Sequence, residues 1–115
     1  MADGDLPRKR TFTFDEAAAL LPEVRRLTEE AFNKVEALGE GTAAGGSSSV
    51  EVTGRLEAIV AEWAGALAAE GIEVKGLWLV DFDNGSGYYC WRYPEDGLHY
   101  YHTYEDGFRG RMRIH

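Results

Sequence analysis

The side chains able to handle a metal ion or a proton lie in the second half of the chain: Asp81, Asp83, Cys90, Glu95, His99, His102 and Glu105. A metal site needs three or four convergent His, Cys, Asp or Glu side chains. No CxxC, no HxxxH on a helix and no HExxH spacing occurs. His99 and His102 stand three apart, which on a strand places them on opposite faces, so one strand cannot present both to one ion. The plainer expectation is one buried histidine satisfied by a tyrosine or carboxylate. Nucleophilic catalysis would need Cys90 beside a base, which His102 could be only in the less favoured of two strand registers, whereas a small thiol in mid-sheet is more often packing. Glu95 is a further catalytic candidate. Arg109, Arg111 and Arg113 alternate. In an extended segment they line one side, where Arg111 could grip a carboxylate or phosphate bidentately, or simply keep an edge strand soluble. Trp91 and Tyr100 belong to an aromatic layer that could stack a planar ligand.

The elements that must position these residues follow from periodicity. Thr13 followed three residues later by Glu16 is a capping box that opens a helix over 14–38. Its apolar stripe is Leu20, Val24, Leu27, Ala31, Val35 and Leu38. Pro22 lies inside it and predicts a kink or restart. Residues 39–49 are rich in Gly, Ser and Ala and read as a flexible connector. No strand precedes this run and no Gly-Lys-Ser/Thr follows, which argues against a phosphate loop. A second helix over 50–70 carries Val52, Leu56, Ile59, Val60, Trp63 and Leu67, and Gly71 stops it. Two such helices fold back as an antiparallel hairpin.

After Gly71 the chain turns aromatic: all six tyrosines lie between Tyr88 and Tyr104. Strands are expected over 73–83, 86–93 and 98–104, with a short fourth available at 109–114. Asn84-Gly85 reads as a two-residue hairpin turn. Trp78, Val80, Phe82, Tyr89, Trp91 and Tyr93 then share the helix-facing side, and Asp81, Asp83, Tyr88 and Cys90 the other. A four-residue loop at 94–97 is preferred because it pairs Tyr93 with Leu98 and buries that leucine. It sends His102 to the helix side. A three-residue loop inverts the strand and sets His102 across from Cys90.

Composition limits the function classes. The chain has 115 residues, 44% hydrophobic and 28% charged, with a net charge of −8. That balance disfavours partners held by phosphate neutralisation, so neither nucleic acid nor an anionic membrane is expected. Residues 1–10 read as a polar, disordered leader without a signal-peptide core. A single cysteine allows no internal disulfide, and the cytoplasm is the expected compartment.

Several strings stand together: Thr11-Phe12-Thr13, Glu16-Ala17, Leu20-Leu21-Pro22, Val74-Lys75-Gly76, Leu79-Val80-Asp81-Phe82, Cys90-Trp91-Arg92, His102 and Gly107-Phe108-Arg109-Gly110-Arg111. In this order and spacing the chain resembles a bacterial family known as domain of unknown function 2203, over residues 11–111. The resemblance implies a shared architecture and marked polar positions at Glu16, Asp81, Glu95, His102 and Arg111. It implies no reaction. Asp83 stands where that family has proline, and the 76–88 segment is shorter.

The expectation is therefore an α+β domain over 11–115, a kinked antiparallel helical hairpin packed on a three- or four-stranded antiparallel β-meander. Its leading role is a small cytoplasmic binding or interaction module, with aromatic surface suggesting a homodimer. The alternative is an enzyme dependent on a small ligand or a divalent transition metal, built from His102, Glu95, Asp81 and Glu16, with Arg111 holding an anionic substrate.

Overall fold

A computed structural model describes residues 10–43 and 49–114. Helix α1 spans Phe14–Ala43 and helix α2 spans Ser49–Ala69. Five strands follow: β1 Glu73–Gly76, β2 Leu79–Asp83, β3 Gly87–Arg92, β4 Tyr100–Thr103 and β5 Met112–Arg113. They form one antiparallel sheet in chain order, so the meander has five strands rather than three or four. The expected leader lies outside the described residues except for Arg10, whose guanidinium donates to the Glu70 carbonyl at 2.8 Å.

The capping box forms as expected. The Thr13 N–H donates to Glu16 Oε1 at 2.8 Å, and the Glu16 N–H donates to Thr13 Oγ1 at 3.1 Å. Helix α1 continues unbroken through Pro22, so no restart occurs there. A proline withholds one helical hydrogen bond, and burial of the stripe on either side carries the helix across it. The helix also runs past Leu38 to Ala43, into the expected connector. Of that connector, residues 44–48 lie outside the described residues, and Ser49 already belongs to α2.

Ala17, Val24, Thr28 and Ala31 are the buried stripe of α1, and Trp63 and Leu67 that of α2. Thr28 joins the two helices: its hydroxyl donates to the Val24 carbonyl at 2.7 Å and accepts from Trp63 Nε1 at 2.8 Å. These side chains pack with Phe12, Ile72, Val80, Phe82, Trp91 and Leu98 in one core. Trp78 is buried against α2 through Trp63, ring centroids 4.9 Å apart, and meets Phe32 of α1 at 6.2 Å. Both Trp78 and Trp91 are thus on the helix side, as parity requires.

Three register findings decide where the polar residues go. The expected first strand folds back on itself at Leu77-Trp78, where Trp78 takes φ 63°, and becomes β1 and β2. The turn after β2 is Gly85-Ser86, one residue later than expected. Asn84 and Gly87 close it, the Asn84 N–H donating to the Gly87 carbonyl at 2.8 Å. Gly85 has φ 94°, the glycine-first pattern of a type II′ turn. The pairing therefore shifts by two, Val80 facing Trp91 and Asp81 facing Cys90, and the faces survive.

Between β3 and β4 the favoured four-residue register is overturned: Tyr88 pairs with His102 and Cys90 with Tyr100. That is the parity of the three-residue loop. Leu98 is buried anyway, only 5% exposed, but from a loop position off the ladder. Its burial therefore placed no constraint on the strand that follows. A turn at 92–95, with the Glu95 N–H donating to the Arg92 carbonyl at 2.8 Å around a cis Tyr93–Pro94 bond, has already taken the chain out of the sheet.

Candidate functional site

The corrected register puts Asp81 of β2, Cys90 of β3 and His102 of β4 on three adjacent strands, on the face turned away from the helices. All three are buried. One carboxylate oxygen, the sulfur and one imidazole nitrogen lie within 4.8 Å of one another. Among the described residues this is the group of metal-ligating side chains that converges.

His102 sits between two acceptors. Its Nδ1 is 2.8 Å from the Thr103 carbonyl and its Nε2 is 2.9 Å from Asp81 Oδ2. The other oxygen, Asp81 Oδ1, is buried and accepts no hydrogen bond. Burial first, and then the Asp81 carboxylate, push the Cys90 thiol up to about 12, against an opposing pull from Arg111. At neutral pH such a thiol is protonated and a poor nucleophile.

Lys75 closes one side. Its Nζ is 3.5 Å from Asp81 Oδ2, 3.5 Å from Glu73 Oε1 and 3.9 Å from the Tyr88 ring centroid. Burial works against the ammonium, but Asp81, Tyr88 and Glu73 outweigh it and hold Lys75 above its ordinary value. The Tyr88 hydroxyl donates to Glu73 at 3.1 Å, and the Tyr104 hydroxyl donates to Asp83 Oδ1 at 2.6 Å. A cavity of about 350 Å³ opens over the cluster, walled by Leu79, Tyr88, Tyr104 and Phe108, with Glu105 and Asp106 at its side. Its size is at the lower end of small-ligand sites.

The other residues singled out in the sequence have separate places. Glu16 is spent in the capping box of α1. Glu95 pins the loop after β3: its carboxylate accepts from the Arg92 N–H at 2.8 Å and pairs with Arg111 at 2.8 Å. Its carbonyl accepts from Trp91 Nε1 and Arg25 Nη1. Neither glutamate joins the converging group. Arg111 lies with its guanidinium 4.1 Å from the Tyr100 and Phe108 ring centroids, so a ligand anion would have to compete with Glu95 for it. Trp91 is fully buried in the core, away from any ligand-facing surface, whereas Tyr100 shares the Cys90 face. His99 is partnered by Asp96 at 2.8 Å, outside the cluster.

Lys75 and Tyr88 are the site residues that sequence reasoning passed over. The signal for Lys75 was present but needed the Leu77-Trp78 fold-back: once Glu73 faces Asp81, a lysine two residues on lies diagonally beside the aspartate.

A family model described as "Uncharacterized conserved protein (DUF2203)" matches residues 10–114. No curated protein and no solved structure matches the chain.

Proposed function

Since the chain belongs to the DUF2203 family, which brings no characterised activity with it, we propose a function from the site itself: the protein binds a divalent transition metal through Asp81, Cys90 and His102. The observation that carries this is the pair of acceptors around one imidazole. A carbonyl can only accept, so His102 Nδ1 donates to Thr103, and in a neutral ring Nε2 is then a lone pair. That lone pair faces a carboxylate oxygen at 2.9 Å, and two acceptors so close need a cation between them. The cation is either a proton or a metal ion.

Two features favour the metal. A ring nitrogen that donates to a backbone carbonyl is the usual support of a metal-binding histidine, because it fixes the tautomer and the ring orientation. Cys90 adds a sulfur that a proton bridge does not use and a metal would, with coordination removing the thiol proton despite burial. Tetrahedral zinc holds N and O ligands roughly 3.4 Å apart. His102 and Asp81, now at 2.9 Å, would need to part by only about 0.5 Å. The N, S, O donor set suits zinc and its neighbours over magnesium or calcium. Three protein ligands leave a coordination position toward the cavity, as in zinc sites that keep a water or substrate there. This supports the ligand-dependent reading over an interaction module.

The test is elemental analysis of protein purified without an affinity tag, followed by cobalt substitution. Near-stoichiometric zinc is expected, with a sulfur-to-cobalt charge-transfer band that Cys90→Ser abolishes. Less than about a tenth of an equivalent of any transition metal, with no thermal shift on adding zinc, cobalt or manganese, would leave a proton-bridged pair and remove the proposal.

A further inference from the structure

We propose that Lys75 is a tethered counter-ion occupying the metal's side of Asp81, which an incoming metal must displace, so that this one side chain sets the affinity of the site. The inference rests on the metal reading above. Its geometric basis is independent of it. Val74 faces Val80 while Gly76 faces Leu79, so the ladder between β1 and β2 is interrupted at Lys75 and leaves that residue without a partner. Such bulges re-aim a side chain and recur beside functional sites. Here the lysine reaches Asp81 Oδ2, the same oxygen that faces His102.

One carboxylate oxygen therefore serves two neighbours, the Lys75 ammonium and the His102 imidazole. A metal bound to that oxygen would share it with an ammonium now 3.5 Å from it, and two cations on one carboxylate oxygen repel. Lys75 can yield. Its side chain is 36% exposed against 2% for Asp81, and Glu73 offers a second carboxylate at the same 3.5 Å. The ammonium can retreat along β1 to Glu73 and the Tyr88 ring while the metal takes Asp81. Lys75 and His102 both engage Oδ2, while the buried Oδ1 has no hydrogen-bond partner.

The experiment is competitive zinc titration, at one pH and ionic strength, of the full chain and of Lys75→Met, Lys75→Gln and Lys75→Arg. The two neutral variants should bind zinc at least about tenfold more tightly, and the arginine variant no more tightly than the parent. In chelator the neutral variants should melt lower than the parent, because Asp81 has lost its counter-ion, and zinc should raise their melting temperature by more. The glutamine variant keeps a polar end group should the methionine variant fold poorly. Equal or weaker zinc affinity in a folded neutral variant overturns the role of Lys75 and leaves the metal site standing. Zinc binding by none of the four proteins overturns both.

Discussion

Two acceptors and one imidazole make His102 the residue on which the chemistry turns, and Cys90 is the one whose behaviour can be checked without a metal. The folded thiol is pushed up to about 12 from an ordinary 9.0, so the folded chain holds this proton where the unfolded chain releases it. The stabilising difference is complete below pH 9 and is lost as pH rises from 9 toward 12. The loss is about 1.4 kcal/mol per pH unit in that window. Urea unfolding in chelator at pH 8 and pH 10 should show the parent losing that much more stability than Cys90→Ala. Parallel loss in both would mean the site does not hold the proton. At this scale the sequence was partly legible. Asp81, Cys90 and His102 were all visible as candidates, but Glu95 and Glu16 were grouped with them. A carboxylate that staples a loop and one that caps a helix have the same letter as a ligand, and only their partners distinguish them.

Element geometry decided which candidates met. The helix stripes and the helix-facing side of β2 and β3 were readable because apolar periodicity is strong there, and a turn displaced by one residue moves pairing by two and spares the faces. The β3–β4 register was not readable. It hung on whether Leu98 was buried by the ladder or by a loop, and a leucine's hydrophobicity is the same in both. The fold-back at Leu77-Trp78 was hidden because a tryptophan occupies the left-handed backbone region where glycine is the usual signal. A different glycine holds β3 against β4. A Cβ on Gly87 would come within 2.5 Å of the His102 carbonyl oxygen and 3.2 Å of Thr103 Cα, both backbone atoms. Gly87→Ala should therefore cost about 1–3 kcal/mol in urea unfolding and weaken zinc binding by shifting His102. Gly54→Ala in α2, with nothing within 4 Å of the new methyl, should instead stabilise by about 0.5–1 kcal/mol. An unchanged Gly87→Ala protein would mean that β3 and β4 are farther apart than this packing requires.

For the whole molecule, the sheet is covered on both sides by unlike material: two helices on one, and the 104–108 segment with Tyr104 and Phe108 on the other. The second layer is thin, and beneath it lie Asp81, Asp83, Cys90 and His102, polar groups that contribute less to burial energy than the Val80, Phe82 and Trp91 side. A metal joining β2, β3 and β4 would tie the three strands together where apolar packing is weakest. Since the three side chains come together only in the folded chain, metal binding there would be coupled to folding. At a free metal concentration a hundredfold above the dissociation constant the gain is about 2.7 kcal/mol. For a domain of this size that should raise the melting temperature by about 10 °C. The net charge of −8 also draws cations of any kind, so magnesium at equal concentration is the necessary control. Differential scanning fluorimetry of chelator-treated protein with zinc against magnesium separates the two effects. A rise shared by both ions is diffuse screening of an acidic surface, whereas a rise confined to zinc and lost in His102→Gln requires the imidazole that faces Asp81.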